Sequence, residues 1–151
     1  MKTIFFLPLF LIVFQLNAQW TADKAVNTLV ADSENRDMKA IGTSDGQTYV
    51  VFWKSVSAPT NFELRLQVLD AMGNQQLGSD GQLISNTIPM STFTVAWTVT
   101  VDDNDNLYVG VTGTGNDGGY AFKLDIDGNP LWGANGISLS GVGYGVTILP
   151  L

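Results

Sequence analysis

Eighteen residues in the last third of the chain match an earlier stretch without a gap, at a spacing of 55 residues. The earlier copy, Val68 to Ser85, reads VLDAMGNQQLGSDGQLIS, and the later copy, Lys123 to Ser140, reads KLDIDGNPLWGANGISLS. The shared turn-forming residues are Asp70 and Asp125, Gly73 and Gly128, Asn74 and Asn129, Gly78 and Gly133, and Gly81 and Gly136. A tandem pair of this kind predicts a repeat architecture, in which each unit buries its faces against neighbours.

Alternating apolar and polar residues divide the chain into two strand-rich units, residues 39–86 and 87–140. Such runs, bounded by Gly, Asn, Asp and Pro, are typical of β-strands joined by turns. The predicted strands are Lys39–Thr43, Thr48–Lys54, Glu63–Asp70 and Gln82–Ser85 in the first unit, and Phe93–Val101, Leu107–Gly113 and Tyr120–Asp125 in the second. We therefore expect an all-β fold with two four-stranded antiparallel sheets.

The central strands of both units, Thr48–Lys54 and Leu107–Gly113, are apolar on both faces. This pattern is expected when a sheet lies between two others, as in blades stacked around an axis. An isolated β-sandwich, the alternative architecture, would leave one face of each sheet polar. Residues 141–151, GVGYGVTILPL, are interpreted as the first strand of a third, truncated unit.

The N-terminal residues 1–18 have the pattern of a removable signal peptide. Lys2 supplies the positive charge, Ile4–Phe14 is an apolar run of eleven residues, and Ala18 precedes the expected cleavage site before Gln19. The run is shorter than the ~20 residues that span a bilayer, so no membrane span is expected after cleavage. Residues 19–38 are interpreted as an N-terminal extension or partial outer strand, with a short helix as the competing interpretation.

The composition excludes several classes of function. The chain has no cysteine and no histidine, which removes disulfides, Ser-His-Asp and Cys-His nucleophiles, and most zinc and copper sites. Its net charge of −7 argues against a nucleic-acid partner, because the phosphate backbone would be repelled. Stability must therefore come from packing, and any catalysis would depend on carboxylates, Tyr, Lys or a hard cation.

The stretch DDNDNLYVG, followed by AFKLDIDGNPLW, resembles secreted bacterial β-propeller repeats. One similar group is the seven-bladed β-propeller repeat; another is the W-G-x-N-G-type repeat of Bacteroidetes-like surface proteins, which often carry a type IX secretion sorting domain. The match is carried by Asp102, Asn106, Tyr108, Val109, Gly110, Lys123, Leu124, Asp125, Gly128, Asn129 and Trp132. The first copy departs from the pattern at Gln47 and Leu77.

The resemblance implies two propeller-type blades and the start of a third. No sorting domain is recognised in the sequence, and a ring normally takes four to eight blades. We therefore expect either a fragment of a longer protein or a chain whose ring is completed by further blades of the same or another chain. The family implies no single activity, since propellers include both binding proteins and enzymes.

Oxygen-bearing side chains at Asp102, Asn104 and Asn106 make these residues calcium candidates, because a hard cation prefers such ligands. The glycine expected at the sixth position of a calcium loop is replaced by Leu107, and Asp and Asn also form tight turns without a metal. No other cofactor is expected. The two Asp-x-x-Gly-Asn segments are interpreted as hairpin turns, with Gly at a positive-φ position.

Five aromatic residues are candidates for a sugar-stacking surface, with packing between sheets as the competing interpretation. They are Trp20, Trp53, Trp97, Trp132 and Tyr120, and the two retained as ligand-binding candidates are Trp132 and Tyr120. A glycoside hydrolase would need pairing among the carboxylates Asp102, Asp105, Asp117 and Glu63, which their spacing does not require. No catalytic residue is predicted.

The sequence therefore predicts a secreted or cell-surface module with a structural or binding role toward a glycan or a protein. A fragment of a propeller-type glycan hydrolase or lyase is the alternative from the enzyme class. A calcium-stabilised adhesin segment is the second alternative.

Overall fold

A computed structural model describes residues 27–57, 62–90, 96–114, 118–141 and 145–150. These residues form eight β-strands and contain no helix, so none of the described ranges holds a helix that could cross a membrane. The strands are β1 (Asn35–Gly42), β2 (Thr48–Ser55), β3 (Phe62–Leu69), β4 (Gln82–Ser85), β5 (Trp97–Val101), β6 (Leu107–Thr112), β7 (Gly119–Leu124) and β8 (Ile137–Leu139). The predicted signal peptide and Trp20 lie outside the described residues.

The strands form two open four-stranded sheets, with orders β1-β2-β3-β4 and β5-β6-β7-β8. Every neighbouring pair is antiparallel. The prediction of two four-stranded antiparallel sheets is therefore confirmed. β1 begins at Asn35, inside the stretch assigned to the N-terminal extension, so residues 35–38 belong to a first strand and not to an outer strand.

The two copies of the repeated stretch adopt the same turn. In each copy the aspartate, Asp70 or Asp125, accepts hydrogen bonds from the backbone N–H groups two and four residues later, at 2.7–3.0 Å. The side-chain amide of Asn74 or Asn129 donates to the same carboxylate. The φ angles of the equivalent glycines also agree: 85° and 82° at the turn, then 74° and 81°, then 65° and 62°. The repeat in the sequence is thus a repeat of backbone conformation.

Gly81 and Gly136 show why the last glycine recurs. Each has a positive φ, which a residue with a Cβ adopts at a cost. A Cβ at Gly81 would lie 2.5 Å from the carbonyl oxygen of Leu66, and a Cβ at Gly136 would lie 2.5 Å from that of Ala121. Leu66 and Ala121 are themselves 55 residues apart. In both sheets, therefore, the segment that leads into the fourth strand passes so close to the third strand, β3 or β7, that only glycine fits there.

The hydrophobic core lies between the two sheets. The first sheet contributes Tyr49, Val51, Trp53, Leu64, Leu66 and Val68, and the second contributes Trp97, Leu107, Val109, Val111, Phe122 and Leu124. Trp53 and Trp97 meet edge to face across this layer, with ring centroids 6.3 Å apart. We call these surfaces the inner faces of the two sheets, and the opposite surfaces their outward faces.

The two sheets pack head to tail. Tyr49 pairs with Val68 in the first sheet, and their equivalents in the repeat, Tyr108 and Lys123, pair in the second. Tyr49 and Val68 belong to the inner face of the first sheet. Tyr108 and Lys123 alternate with the inner-face residues Leu107, Val109, Phe122 and Leu124, and therefore lie on the outward face of the second sheet. The inner face of the second sheet is therefore equivalent, in the repeat, to the outward face of the first sheet.

Two segments without regular structure lie against the outward faces. Residues 27–34 border the first sheet, where the carbonyl of Val30 accepts from the side chain of Gln67 at 3.2 Å. Residues 145–150 border the second sheet, where the carbonyl of Val146 accepts from Thr98 Oγ1 at 2.8 Å. The prediction of a strand in residues 141–151 is wrong for residues 145–150, and neither a helix nor a strand occurs in residues 27–34.

Candidate functional site

The turn between β5 and β6 is built around the carboxylate of Asp102. Its Oδ1 accepts the backbone N–H groups of Asn104 and Asn106 at 3.0 and 2.9 Å. Its Oδ2 accepts the Asn106 side-chain amide at 2.9 Å and the Tyr108 hydroxyl at 3.0 Å, and Lys123 Nζ lies 3.5 Å away. Four hydrogen-bond donors and the Lys123 ammonium group therefore surround one carboxylate, and the Asp102 side chain is only 12% exposed.

Asp102 is held in its ionised form by these contacts. Burial raises the pKa of the carboxyl, but the hydrogen bonds from the Asn106 side chain and backbone and from the Tyr108 hydroxyl outweigh it, so the pKa lies below its usual range. The pKa of Lys123 is raised, first by the Tyr108 hydroxyl and then by the Asp102 carboxylate. Both groups are therefore charged at neutral pH.

The calcium candidates Asp102, Asn104 and Asn106 do come together in this turn. Asn106, however, presents its amide nitrogen to Asp102 and not its oxygen, and Asn104 contributes its backbone N–H. The geometry is that of a turn closed by its own hydrogen bonds, in which donors occupy the lone pairs that a cation would use. In the described part of the chain, no group of three or more His, Cys, Asp or Glu is arranged to hold a metal ion.

Tyr108, Lys123 and Trp132 extend this site over the outward face of the second sheet. The Trp132 ring meets the Tyr108 ring edge to face, with centroids 5.5 Å apart. Lys123 Nζ lies 4.9 Å from the centroid of the Tyr108 ring, a cation–π distance. We call Asp102, Tyr108, Lys123 and Trp132 the Tyr108 cluster.

The two stacking candidates, Trp132 and Tyr120, are not brought together. Tyr120 packs against the core between the sheets, whereas Trp132 contacts Tyr108 on the outward face. Trp53 and Trp97 are part of the core itself, and Trp20 lies outside the described residues. Among the described aromatic candidates, only Trp132 is both partly exposed and on a face that the other sheet leaves free.

The carboxylates weighed for glycoside hydrolysis each have a different role. Glu63 pairs with Arg65 at 3.0 Å in β3, and Asp102 closes its own turn. Asp105 accepts from the backbone N–H and the hydroxyl of Ser44 in the other sheet. Asp117 lies outside the described residues. Glu63 lies in the first sheet and Asp102 in the turn before β6 of the second, and the partners of these two carboxylates lie in their own sheets.

Sequence reasoning missed the polar contacts that join the sheets. The Tyr49 hydroxyl donates to the carbonyl of Asp105 at 2.7 Å, and the Trp97 indole donates to Asp37 Oδ2 at 2.7 Å. Burial, followed by the charge of Asp105, raises the pKa of Tyr49 well above its usual range, so it stays a donor. The two aspartates have positive φ angles, 30° for Asp37 and 59° for Asp105, which are uncommon for non-glycine residues.

Two of the cavities at the junction between the sheets are lined by polar or charged side chains together with core residues. The larger, about 320 Å³, lies between β4 and the turns that follow β7, and its lining includes Asn86, Phe122, Lys123 and Asn135. We call it the rim groove. The second, about 300 Å³, is bordered by Asp37 and Lys39 of β1, by residues 96–98 and by residues 145–147. Lys39 Nζ lies 5.0 Å from the centroid of the Trp97 ring there.

The chain matches no protein-family model, none of the curated proteins and no solved structure. Its function must therefore be inferred from the packing of the two sheets and from the chemistry of the surfaces described above.

Proposed function

We propose that the chain is an exported, secreted or cell-surface, β-propeller-type repeat module with a structural or binding role. In this proposal the two sheets are successive blades. The observation that carries it is the head-to-tail packing: Tyr49 and Tyr108 occupy equivalent positions, yet only Tyr49 faces the other sheet. Propeller blades are related in this way, because each repeats the rotation of the one before it.

The cavity near the first strands supports the same proposal. β1, the start of β5 and residues 145–147 border one space of about 300 Å³. In a propeller the first strands of successive blades line a central channel. A two-sheet sandwich accounts for the shared core but gives no reason for a third segment to join the first strands beside one cavity.

A structural role for Trp132 follows from the repeat. Its equivalent in the first sheet is Leu77, which packs against the core between the sheets and borders Ile126 of the next turn. Trp132 therefore occupies the position from which one unit contacts the next. Stacking on a sugar ring is the weaker explanation for this residue, since its ring already packs against the Tyr108 ring, with centroids 5.5 Å apart.

For a binding role, the rim groove is the surface that fits a neutral polar ligand such as a glycan. Asn86 and Asn135 are exposed amides at its margin, and the buried Phe122 ring belongs to its lining. Amide groups recognise hydroxyl groups by hydrogen bonding, and an apolar floor receives the C–H face of a sugar ring. No arrangement among the described carboxylates favours the hydrolase or lyase alternative.

A glycan array tests the binding role and its location together. We expect binding by the wild-type chain that is lost when Asn135→Trp fills the rim groove, and that survives in Trp132→Ala. Release of new reducing ends from a bound glycan, abolished by Glu63→Gln or Asp102→Asn, would instead favour the hydrolase alternative. The absence of any glycan signal would restrict the module to a structural or protein-binding role.

Export is tested separately by mass spectrometry of the protein recovered outside an expressing bacterium. We expect a mature N-terminus at Gln19. Retention of the uncleaved chain in the cell would contradict the exported part of the proposal without touching the blade assignment.

A further inference from the structure

Each of the two outward faces is covered in part by a segment without regular structure, and the covered parts differ. On the first sheet, residues 27–34 lie over the β3 side: Val30 accepts from Gln67 of β3, and the Asp32 N–H donates to Ser79 at 2.8 Å. On the second sheet, residues 145–150 lie over the β5–β6 side. A Cβ at Gly110 of β6 would be 2.4 Å from the Val146 carbonyl oxygen, so this segment lies very close to the sheet.

Each partly covered face leaves a large apolar side chain in solvent. Met38 pairs with Phe52, which alternates with the inner-face residues Val51 and Trp53, so Met38 lies on the outward face of the first sheet and is 52% exposed. Ile137 pairs with Ala121, which alternates with the inner-face residue Phe122, so Ile137 lies on the outward face of the second sheet and is 42% exposed.

The covering segments expose apolar side chains of their own. Leu29, in the segment on the first sheet, is 57% exposed, and Leu149, in the segment on the second sheet, is 79% exposed. These four are among the seven large apolar side chains exposed in the described part of the chain, and exposed apolar groups that share a face indicate an interaction surface more strongly than scattered ones. Neither segment alone forms a full layer, but side by side the two would cover both the β3 side and the β5–β6 side.

We propose that the outward face of the second sheet docks, head to tail, onto the outward face of the first sheet of a second copy of this chain. Residues 145–150 of one copy and residues 27–34 of the other lie next to each other in the layer between them. Leu149 then faces Met38 of the second copy, and Ile137 faces Leu29 of the second copy. The inference rests on the proposed head-to-tail stacking and extends it from one chain to two.

The packing inside the chain is what favours a second copy as the occupant. The inner face of the first sheet and the inner face of the second already form a heterologous contact, with different residues on its two sides. A heterologous contact leaves one surface of each kind free at the ends, and those two surfaces suit each other. The net charge of −7 opposes association at low ionic strength, so added salt should strengthen it by screening.

Sedimentation of the purified chain over a concentration series tests this proposal. We expect reversible association that tightens with salt, and a loss of about tenfold or more in affinity for Met38→Glu and for Ile137→Glu. Asn86→Glu is the matched control, since it adds the same charge between the sheets and away from both outward faces. It should associate as the wild type does.

Mixing the two variants gives the sharper test. Met38→Glu keeps an intact second-sheet face and Ile137→Glu keeps an intact first-sheet face, so a mixture should form a heterodimer that neither variant forms alone. A symmetric dimer, in which the same surface meets itself, would not be rescued by mixing and would overturn the proposal. A wild-type chain that stays monomeric at all concentrations and salt levels would also overturn it, while export and glycan binding remain separately measurable.

Discussion

Tyr49 and Tyr108 occupy the same position in the two sheets, but their hydroxyls have different partners. The Tyr49 hydroxyl crosses to the second sheet and donates to the Asp105 carbonyl, whereas the Tyr108 hydroxyl donates to Asp102 in the turn just before its own strand. Tyr49 is fully buried, and Tyr108 is 8% exposed. The repeat therefore places the two tyrosines at equivalent backbone positions. The layer packed against each tyrosine determines which group its hydroxyl contacts.

The residues around the two tyrosines differ in the same sense. The inner face of the first sheet carries Val51 and Leu66, both with no exposed surface, where the outward face of the second carries Gly110 and Ala121. Large side chains fill the space between two whole sheets. Small ones admit the close approach of a single segment, residues 145–150, to β6. The size of the side chain at equivalent positions of the two copies thus depends on whether that face packs against a whole sheet or against a single segment.

The largest expected effect comes from opening a cavity between the sheets. Leu66→Ala removes a fully buried side chain from the inner face of the first sheet and should lower the free energy of unfolding by about 3 kcal/mol. Leu83→Ala is the control, because Leu83 is 40% exposed in β4 and should lose less than about 1 kcal/mol. Denaturant unfolding measures both. Similar losses for the two variants would contradict a core shared between the sheets.

The next effect compares two turns that share one hydrogen-bond pattern but differ in burial. Asp102→Ala leaves Lys123 and several N–H donors without their acceptor in a mostly buried site, so we expect a loss of about 2–3 kcal/mol. Asp70→Ala breaks the same turn hydrogen bonds at an exposed site, where water replaces the carboxylate, and should lose clearly less stability than Asp102→Ala. Equal losses would show that Tyr108 and Lys123 add nothing to the turn.

Acid should act on the same carboxylate. The folded pKa of Asp102 is lower than its unfolded value of 3.8, so its contribution is fully present above that value and is lost as pH falls through the folded pKa. We expect the stability of the wild type to decline below about pH 4 and that of Asp102→Asn to decline less steeply. Denaturant midpoints at a series of pH values measure the slopes. Parallel curves would contradict the assignment.

These comparisons also show how far the sequence could predict the structure. Asp, Gly and Asn define the repeated turns by themselves, since the hydrogen bonds of Asp70 and Asp125 are local, and so the two sheets were predictable. The strand expected in residues 141–151 was not formed in residues 145–150. An apolar segment becomes a strand only when a sheet edge is offered, and this segment instead meets the face of β5 and β6.

The contacts between the sheets were predictable only in part. Register parity could have placed Tyr120 and Lys123 on opposite faces of the second sheet, because the two residues are an odd number of positions apart on one strand. The bond between Ser44 and Asp105 joins residues 61 apart and depends on how the sheets are set against each other. No local sequence pattern shows how the two sheets are placed relative to each other. In the structure, Asp37, which accepts from the Trp97 indole, lies at the β1 bulge and has a positive φ.

Adding one methyl group at Gly110 tests whether residues 145–150 pack directly on the outward face of the second sheet. Gly110→Ala places a Cβ 2.4 Å from the Val146 carbonyl oxygen, so it should displace residues 145–150 and cost about 1–2 kcal/mol. Gly42→Ala in β1 is the control, since its nearest neighbour would be 3.9 Å away, and it should be neutral or slightly stabilising. Faster hydrogen exchange in residues 145–150 of Gly110→Ala alone would identify the displaced segment.

The smallest effect returns to the two tyrosines, and it is best measured as a coupling. Tyr108→Phe removes the donor of one side-chain hydrogen bond and Asp102→Asn removes the charge of its acceptor, so their double-mutant cycle should give a coupling of about 1 kcal/mol. Asn in place of Asp105 tolerates the positive φ and keeps the carbonyl that accepts from Tyr49. The cycle of Tyr49→Phe with Asp105→Asn should therefore give a coupling near zero, although each single variant loses stability. In the first cycle the acceptor belongs to a side chain, and in the second it belongs to the backbone. Equal couplings would therefore mean that the Tyr49 hydroxyl interacts with the Asp105 carboxylate as strongly as the Tyr108 hydroxyl interacts with the Asp102 carboxylate. The distinction drawn between the two positions would then be wrong.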